Sequence, residues 1–183
     1  NRSDALSFAN VVSGAGSLVK NGTGALTLTG NNTFDGGFTI NGGTGNVGKV
    51  IAGHNNSLGV GTVTLAGQAA TLELANGITV TNAMTVAASG NFKIIQLQSG
   101  ATAATYSGNI TNNEDLSTNF DLIASTGGTL TISGNISGGI ATAGIEKLGA
   151  GTVILSGANT YTGATTISAG TLTVSAGALA GTS

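Results

Sequence analysis

The chain has 183 residues with a formal net charge of −2, and 40% of its residues are hydrophobic while only 7% are charged. Disordered chains combine low hydrophobicity with high net charge, so this composition predicts a folded protein. Five scattered basic residues argue against nucleic-acid binding, and the absence of cysteine excludes disulfides, zinc–thiolate sites and cysteine catalysis.

Short β-strands are predicted along the whole chain. Thr, Val and Ile favour strands, and the 32 glycines supply tight turns between them. No segment sustains an apolar period of 3.6 residues with helix caps. Apolar residues instead alternate with Thr, Ser or Asn, which makes one face of each strand apolar. In chain order the alternating pairs are Leu26/Leu28, Phe38/Ile40, Val63/Leu65, Leu72/Leu74, Ile78/Val80, Met84/Val86, Leu130/Ile132, Val153/Leu155 and Leu172/Val174.

The alternation weakens between about Asn91 and Asp121. Within it, the polar stretch 112–119 contains the adjacent acids Glu114 and Asp115. Loops carry binding residues more often than regular elements do. We therefore predict an irregular loop at about 107–121 that protrudes from an otherwise regular fold.

An internal repeat is the strongest signal in the chain. One copy occupies about residues 16–46 and the other about 143–174. Lys20 and Gly36 correspond to Lys147 and Gly163 at one constant offset, without a gap between them. Self-similarity of this kind is typical of repeat architectures in which each unit stacks on the next.

The repeat and the small aliphatic residues favour an all-β, parallel β-solenoid over residues 1–183 as one segment. A sandwich or a propeller also has short strands, but sandwiches carry aromatic or Cys and Trp markers that are missing here. With coils of roughly 20 to 25 residues, the chain would form about eight coils. Like residues stacked on like would form Asn and Thr ladders along the axis.

The pattern Lys-x-Gly-x-Gly-x-Leu-x-Leu-x-Gly-x-Asn-Thr-(Tyr/Phe)-x-Gly resembles the passenger-associated (autotransporter-associated β-strand) repeat of bacterial autotransporters. The second copy matches this pattern almost throughout, from Lys147 to Val174. The first copy departs from it at 34–38, where Phe-Asp-Gly-Gly-Phe stands in place of Tyr-Thr-Gly-x-Thr.

The resemblance implies a single-stranded right-handed parallel β-helix, secreted and carried across the outer membrane to the bacterial surface by a β-barrel domain elsewhere in the polypeptide. Passengers of the family include adhesins, cytotoxins, proteases and esterases, and the repeat itself resembles a secretion-and-folding stalk. The residues 178–183 read like the opening of another coil, so we expect the chain to be a fragment. No signal peptide and no apolar run of membrane-spanning length is visible.

His54, the single histidine, lies in Gly-His-Asn-Asn-Ser near Ser57. A Ser-His-Asp site would need an activated serine, and no Gly-x-Ser-x-Gly elbow occurs. We interpret His54 as a turn residue on the surface. One histidine without cysteine also argues against a transition-metal site.

The segment 43–50 matches Gly-x-Gly-x-x-Gly and nearly matches a P-loop. Val50 stands where the P-loop needs Ser or Thr, and a strand-like run follows where a helix is required. The related calcium β-roll pattern also fails, because Val47 takes the aspartate position. We predict no nucleotide, no other cofactor and no metal.

A polysaccharide-cleaving site would need two carboxylates that converge on one bond. We interpret the adjacent Glu114 and Asp115 as a solvated turn, and name them with Asp121 as the best acids for such a site. Stacked coils can still bring together acids that are distant in sequence. The seven acids are Asp4, Asp35, Glu73, Glu114, Asp115, Asp121 and Glu146.

Residues at equivalent repeat positions are interpreted as structural. Lys20 and Lys147 are expected to contact a turn carbonyl or a neighbouring carboxylate. Asn32 and Asn159 are expected to secure turns through side-chain bonds to the backbone. The remaining equivalent pair, Phe34 and Tyr161, is expected to pack against a coil edge.

The sequence therefore predicts no catalytic residue and leaves the binding residues unknown. The favoured function is a non-enzymatic structural or spacer segment of a secreted, surface-displayed protein that supports adhesion to host or neighbouring cells. One alternative is a self-assembling extracellular fibre or cell-aggregation module, in which copies associate end to end or side by side. Another is a carbohydrate-active β-helix enzyme.

Overall fold

A computed structural model describes residues 4–42, 48–89, 92–114, 118–140, 143–175 and 179. Nineteen short strands make up the regular structure, and the described ranges contain no helix. All of the strand pairs given by the register are parallel. The all-β prediction is therefore confirmed.

The strands form three sheets, and each sheet collects one strand from successive passes of the chain. The eight-stranded sheet contains β1 (Leu6–Phe8), β3 (Leu26–Leu28), β5 (Lys49–Ala52), β7 (Thr71–Leu74), β10 (Lys93–Leu97), β13 (Phe120–Ile123), β16 (Ile145–Leu148) and β18 (Thr165–Ile167). The six-stranded sheet contains β2 (Leu18–Lys20), β4 (Phe38–Gly42), β6 (Val63–Gly67), β9 (Met84–Val86), β12 (Ile110–Asn112) and β15 (Ile136–Gly138). The five-stranded sheet contains β8 (Thr79–Val80), β11 (Ala103–Tyr106), β14 (Thr129–Ile132), β17 (Thr152–Leu155) and β19 (Thr171–Val174).

Consecutive strands belong to different sheets, so the chain winds around a tube. In the middle coils the order is eight-, five- and six-stranded sheet, as in β10, β11 and β12. Coils differ in length. The register partners Thr152 and Thr171 are closer in sequence than the register partners Ile95 and Leu122 are. The structure is therefore a parallel β-solenoid, as the repeat predicted.

The two repeat copies lie on different faces of the tube. The first copy places its strands β2 and β3 in the six- and eight-stranded sheets, whereas the second places β16 and β17 in the eight- and five-stranded sheets. From β3 to β16 there are five steps in the order of the eight-stranded sheet. The constant offset between the copies thus corresponds to five coils and one further face.

Alternation fills the tube with apolar side chains. Val50, Leu72, Ile95 and Leu122 follow one another in register and are fully buried. At the ends of the described stack the same column is open, since Leu6 is 42% and Ile167 54% exposed. Each coil therefore depends on its neighbours to cover its core, as expected for a solenoid.

Phe34 and Tyr161 are buried in the core, so their expected position at a coil edge is wrong. Both lie between two strands of their coil, in segments whose backbone still bonds to a neighbouring coil: the Thr33 N–H donates to the Val12 carbonyl and the Thr162 N–H to the Gly138 carbonyl. The Phe34 ring packs near Phe38, with centroids 6.3 Å apart. Gly59 covers it with φ of 71°, and a Cβ there would lie 2.8 Å from the ring.

The range 107–121, expected to be an irregular loop, contains strand β12 and the first residues of β13. Ile110 and Asn112 point inward and are fully buried. The described residues of this range therefore include regular ladder, since β12 pairs with β9 and β15 and β13 pairs with β10 and β16. Asp115 lies outside the described residues.

Candidate functional site

The repeated lysines donate hydrogen bonds to turn carbonyls inside the tube. The Lys147 ammonium donates to the carbonyls of Leu148, Gly149 and Ala169 at 2.8, 2.7 and 2.9 Å. Lys147 is fully buried, and desolvation lowers the pKa of its ammonium group. Since a lysine has three N–H donors, these bonds satisfy it completely.

The first copy repeats this arrangement. Lys20 donates to the carbonyls of Asn21 and Gly22 at 3.3 and 2.8 Å, and burial likewise lowers its pKa. Gly22 and Gly149 are equivalent, with φ of 83° and 74°, which lets each carbonyl turn toward its lysine. Of the two predicted contacts, a turn carbonyl or a neighbouring carboxylate, the turn carbonyl is the one that both lysines make.

Lys93 and Glu114 form an ion pair inside the tube, with 2.7 Å between Nζ and Oε1 and no exposed side-chain surface on either residue. The interpretation of Glu114 as part of a solvated turn is therefore wrong. Its backbone N–H donates to the Asn112 side chain at 3.1 Å, and Thr118 donates to its second oxygen at 3.4 Å. The sequence signal for this pair is the inward register that Lys93 shares with Ile95 and Leu97.

Charged and polar side chains also gather on the outer face of the eight-stranded sheet. We call Lys49, Glu73, Gln96, Asp121 and Glu146 the outer strip. They occupy the positions that alternate with core residues of β5, β7, β10, β13 and β16. Half-buried apolar residues flank them on the same face: Ile51, Ile94, Ile123 and Leu148. Three of the seven acids thus share one surface.

Part of the outer strip is internally paired. The Lys49 ammonium lies 2.8 Å from Glu73 Oε2, and Gln96 donates to the same oxygen. Glu73 is buried beneath these partners. This half of the strip is therefore electrically balanced.

The other half is not balanced. Asp121 and Glu146 are register partners on the adjacent strands β13 and β16, so their carboxyl groups are neighbours. Burial, with a further contribution from the charge of Glu146, raises the pKa of Asp121 to about 7. The Asp121 Oδ1 atom is buried without a hydrogen-bond partner.

The Glu146 carboxylate, unlike Asp121 Oδ1, has hydrogen-bond donors. It accepts hydrogen bonds from Asn119 Nδ2 at 3.2 Å and from the Ser168 hydroxyl. The sequence indicates that stacked coils can bring distant acids together, but it does not identify this pair. The pairing depends on the exact length of the coil between β13 and β16, for which no local signal exists.

The structure separates the other candidate residues. His54 lies in a turn and is half-buried, and its Nδ1 accepts the Asn56 backbone N–H at 3.1 Å. Ser57 is buried, and its hydroxyl has no hydrogen-bond partner. Of the glycine-rich segment, 43–47 lies outside the described residues, while Lys49 and Val50 belong to a strand where a phosphate site would need a helix.

Asn32 and Asn159 bond to backbone groups, as predicted, but the partners belong to neighbouring coils. Asn32 accepts from the Val12 N–H at 2.8 Å and donates to the Ser57 carbonyl at 2.6 Å. Asn159 accepts from the Ile136 N–H at 2.8 Å. These side chains therefore connect coils as well as securing turns.

Within the described ranges, no helix is long and apolar enough to cross a membrane. Among the same residues, no three His, Cys, Asp or Glu side chains are grouped as metal ligands. Glu114 pairs with Lys93 inside the tube, whereas Asp121 lies on the outer face beside Glu146, so these two candidate acids do not form one site.

Comparison with known proteins connects this architecture to one family. The passenger-associated-transport-repeat family matches residues 18–44 and 145–174, which fall within the two copies of the internal repeat. The adhesin BmaC autotransporter of Brucella suis biovar 1 (strain 1330) is 32% identical over 168 residues, or 88% of the chain. The chain spans 4% of the length of that relative. No solved structure matches the chain.

Proposed function

Since this chain belongs to the autotransporter passengers with passenger-associated-transport repeats, we propose that it is a non-enzymatic structural segment of a secreted, surface-displayed protein that supports adhesion. It holds other parts of a longer passenger away from the outer membrane and contributes a side surface to cell contact. Host cells, neighbouring bacterial cells and other copies of the chain are its proposed partners.

The observation that carries this proposal is the unbroken parallel ladder of the eight-stranded sheet. Each coil adds about 4.8 Å of length without needing a new fold, which suits a spacer. The interior charges support the same function. Lys20 and Lys147 are held by turn carbonyls and Lys93 by Glu114, so these groups stabilise the tube and do not face a substrate.

The adhesin relative supports a role in adhesion, although the name describes that protein as a whole. In the present chain, the exposed surface carries outward Thr, Ser and Asn side chains together with exposed apolar side chains such as Val11, Val19 and Val60. Such a surface suits many weak contacts along a fibre, whose strength adds up when many copies are displayed together.

Display of the chain on otherwise non-adherent bacterial cells tests the proposal. We expect increased binding to host cells or increased cell aggregation, with no hydrolysis of polysaccharides or esters by the purified chain. Display without any gain in either adhesion assay would contradict the adhesive role.

A carbohydrate-active enzyme is the second candidate, because Asp121 and Glu146 are neighbours and the pKa of one is raised. Paired carboxylates with different protonation are the groups that glycoside hydrolysis uses. Polysaccharide cleavage by the wild type that disappears in the Asp121→Asn and Glu146→Gln variants would establish this candidate in place of the structural one.

A further inference from the structure

The unbalanced half of the outer strip has the features of a cation site. We propose that Asp121 and Glu146 bind a divalent cation, Ca²⁺, on the outer face of the eight-stranded sheet. This site would lie on the side of the tube and would join two successive coils. No sequence motif identifies it, because its ligands come from different coils.

The register brings the two carboxylates together. Asp121 pairs with Glu146 across the ladder between β13 and β16. Parallel strands are about 4.8 Å apart, so outward side chains at paired positions can share one ion. Phe120 and Leu122, on either side of Asp121, are in the core, which directs Asp121 to the outer face.

The charge of this pair is uncompensated by the ion pairs seen in the described part of the chain. Lys49 pairs with Glu73 and Lys93 with Glu114. Asp121 is only 4% exposed, and its Oδ1 atom has no donor. A buried carboxylate oxygen without a partner is costly, and a bound cation would remove that cost.

The oxygen atoms around the two carboxylates favour calcium. Asn119 and Ser168 both hydrogen-bond Glu146, and each also carries an oxygen. Asn119 Oδ1 accepts the Gly144 N–H at 3.3 Å, which leaves its second lone pair for a cation. An oxygen-only set suits hard cations, and Ca²⁺ tolerates an irregular geometry better than Mg²⁺ does. Two carboxylates with neutral oxygens and water correspond to a weak extracellular site, with a dissociation constant of about 10⁻⁴ to 10⁻³ M.

A proton is the competing occupant. Because the pKa of Asp121 is raised to about 7, the pair retains a proton in mildly acidic solution. Calcium must displace this proton, so binding is expected to weaken as the pH falls below about 7. The groups that face Asp121 from adjacent strands are Ile94 of β10 and Glu146 of β16, so Glu146 is the ionisable neighbour that affects this competition.

Calorimetric titration of the purified, chelator-treated chain with CaCl₂ at pH 8 tests the site, with thermal unfolding as a second measurement. We expect saturable binding and a higher unfolding temperature, both lost in Asp121→Asn and in Glu146→Gln. Asp35→Asn removes an exposed acid elsewhere and is the matched control. It is expected to bind like the wild type, whereas MgCl₂ is expected to bind more weakly.

Two results would overturn the proposal. One is the absence of both heat and stabilisation at about 10 mM Ca²⁺, well above the range of weak extracellular sites. The other is equal binding by the wild type and by folded Asp121→Asn, which would indicate non-specific association with the acidic surface. If the first result is found and Asp121→Asn is more stable than the wild type without calcium, the pair is assigned to proton sharing alone.

Discussion

At the scale of single residues, the charges inside the tube show how a chain with 7% charged residues uses them. The Lys147 ammonium donates to three carbonyl oxygens, and the Lys93 ammonium forms an ion pair with the Glu114 carboxylate at 2.7 Å. Each buried ammonium group thus has partners, as the high cost of burying an unpaired charge requires.

The Lys93→Met substitution is expected to destabilise the chain by about 3–5 kcal/mol, because it leaves Glu114 charged and buried without its partner. The Lys93→Met/Glu114→Leu double variant is the control and should regain part of that stability, since it removes both charges. Urea unfolding followed by circular dichroism measures both. A double variant less stable than the single variant would contradict this explanation.

Asp121 gives a prediction about pH in calcium-free buffer. Its pKa is raised from 3.8 to about 7 in the folded chain, so the folded state keeps a proton that the unfolded state has already released. The free energy of unfolding should therefore fall as the pH rises from about 4 to about 7. Asp121→Asn should reduce this fall, whereas Asp35→Asn should leave it unchanged. Urea midpoints at pH 5 and pH 8 provide the comparison. An identical change of the midpoint between these pH values in the wild type and in Asp121→Asn would count against the assignment.

At the scale of elements, the repeat unit is a lysine-bearing strand, a glycine turn, a second strand and an asparagine-secured segment with an aromatic ring. These parts could be predicted from the sequence, because Lys20 and Lys147 or Asn32 and Asn159 occur at one offset. The inward position of Phe34 and Tyr161 was missed, although both alternate with exposed neighbours, because one aromatic residue among polar residues and glycines does not read as an apolar strand.

The asparagine contacts predict a strong effect at one position and a weak one nearby. Asn32→Ala removes partners from the Val12 N–H and the Ser57 carbonyl, and should cost about 1–3 kcal/mol for each group left buried and unsatisfied. Asn56→Ala removes an exposed bond to Asn31 and should change stability by less than about 0.5 kcal/mol. Thermal unfolding distinguishes them. Both side chains bond to a neighbouring coil, so equal effects would mean that burial does not determine how much such a bond stabilises the stack.

At the scale of the whole molecule, the solenoid could be predicted from the repeat and composition, but the arrangement of its faces could not. Coils of unequal length shift the two copies onto different faces and determine that Asp121 meets Glu146. Coil length depends on turns throughout the chain, so an insertion or deletion in a turn would change which residues of neighbouring coils are in register. For this reason the outer strip became visible only in the structure.

The central claim, that stacked coils serve as an adhesive structural segment of a displayed passenger, is tested most directly by deleting one coil. Val50 and Leu72 are register partners, so deletion of residues 51–72 removes one coil in phase, whereas deletion of residues 51–61 breaks the phase. Surface display and adhesion are measured on cells that carry each variant. The account predicts that the in-phase deletion keeps both and that the out-of-phase deletion loses folding and display. Loss of adhesion by a well-displayed in-phase variant, or normal display of the out-of-phase variant, would contradict it.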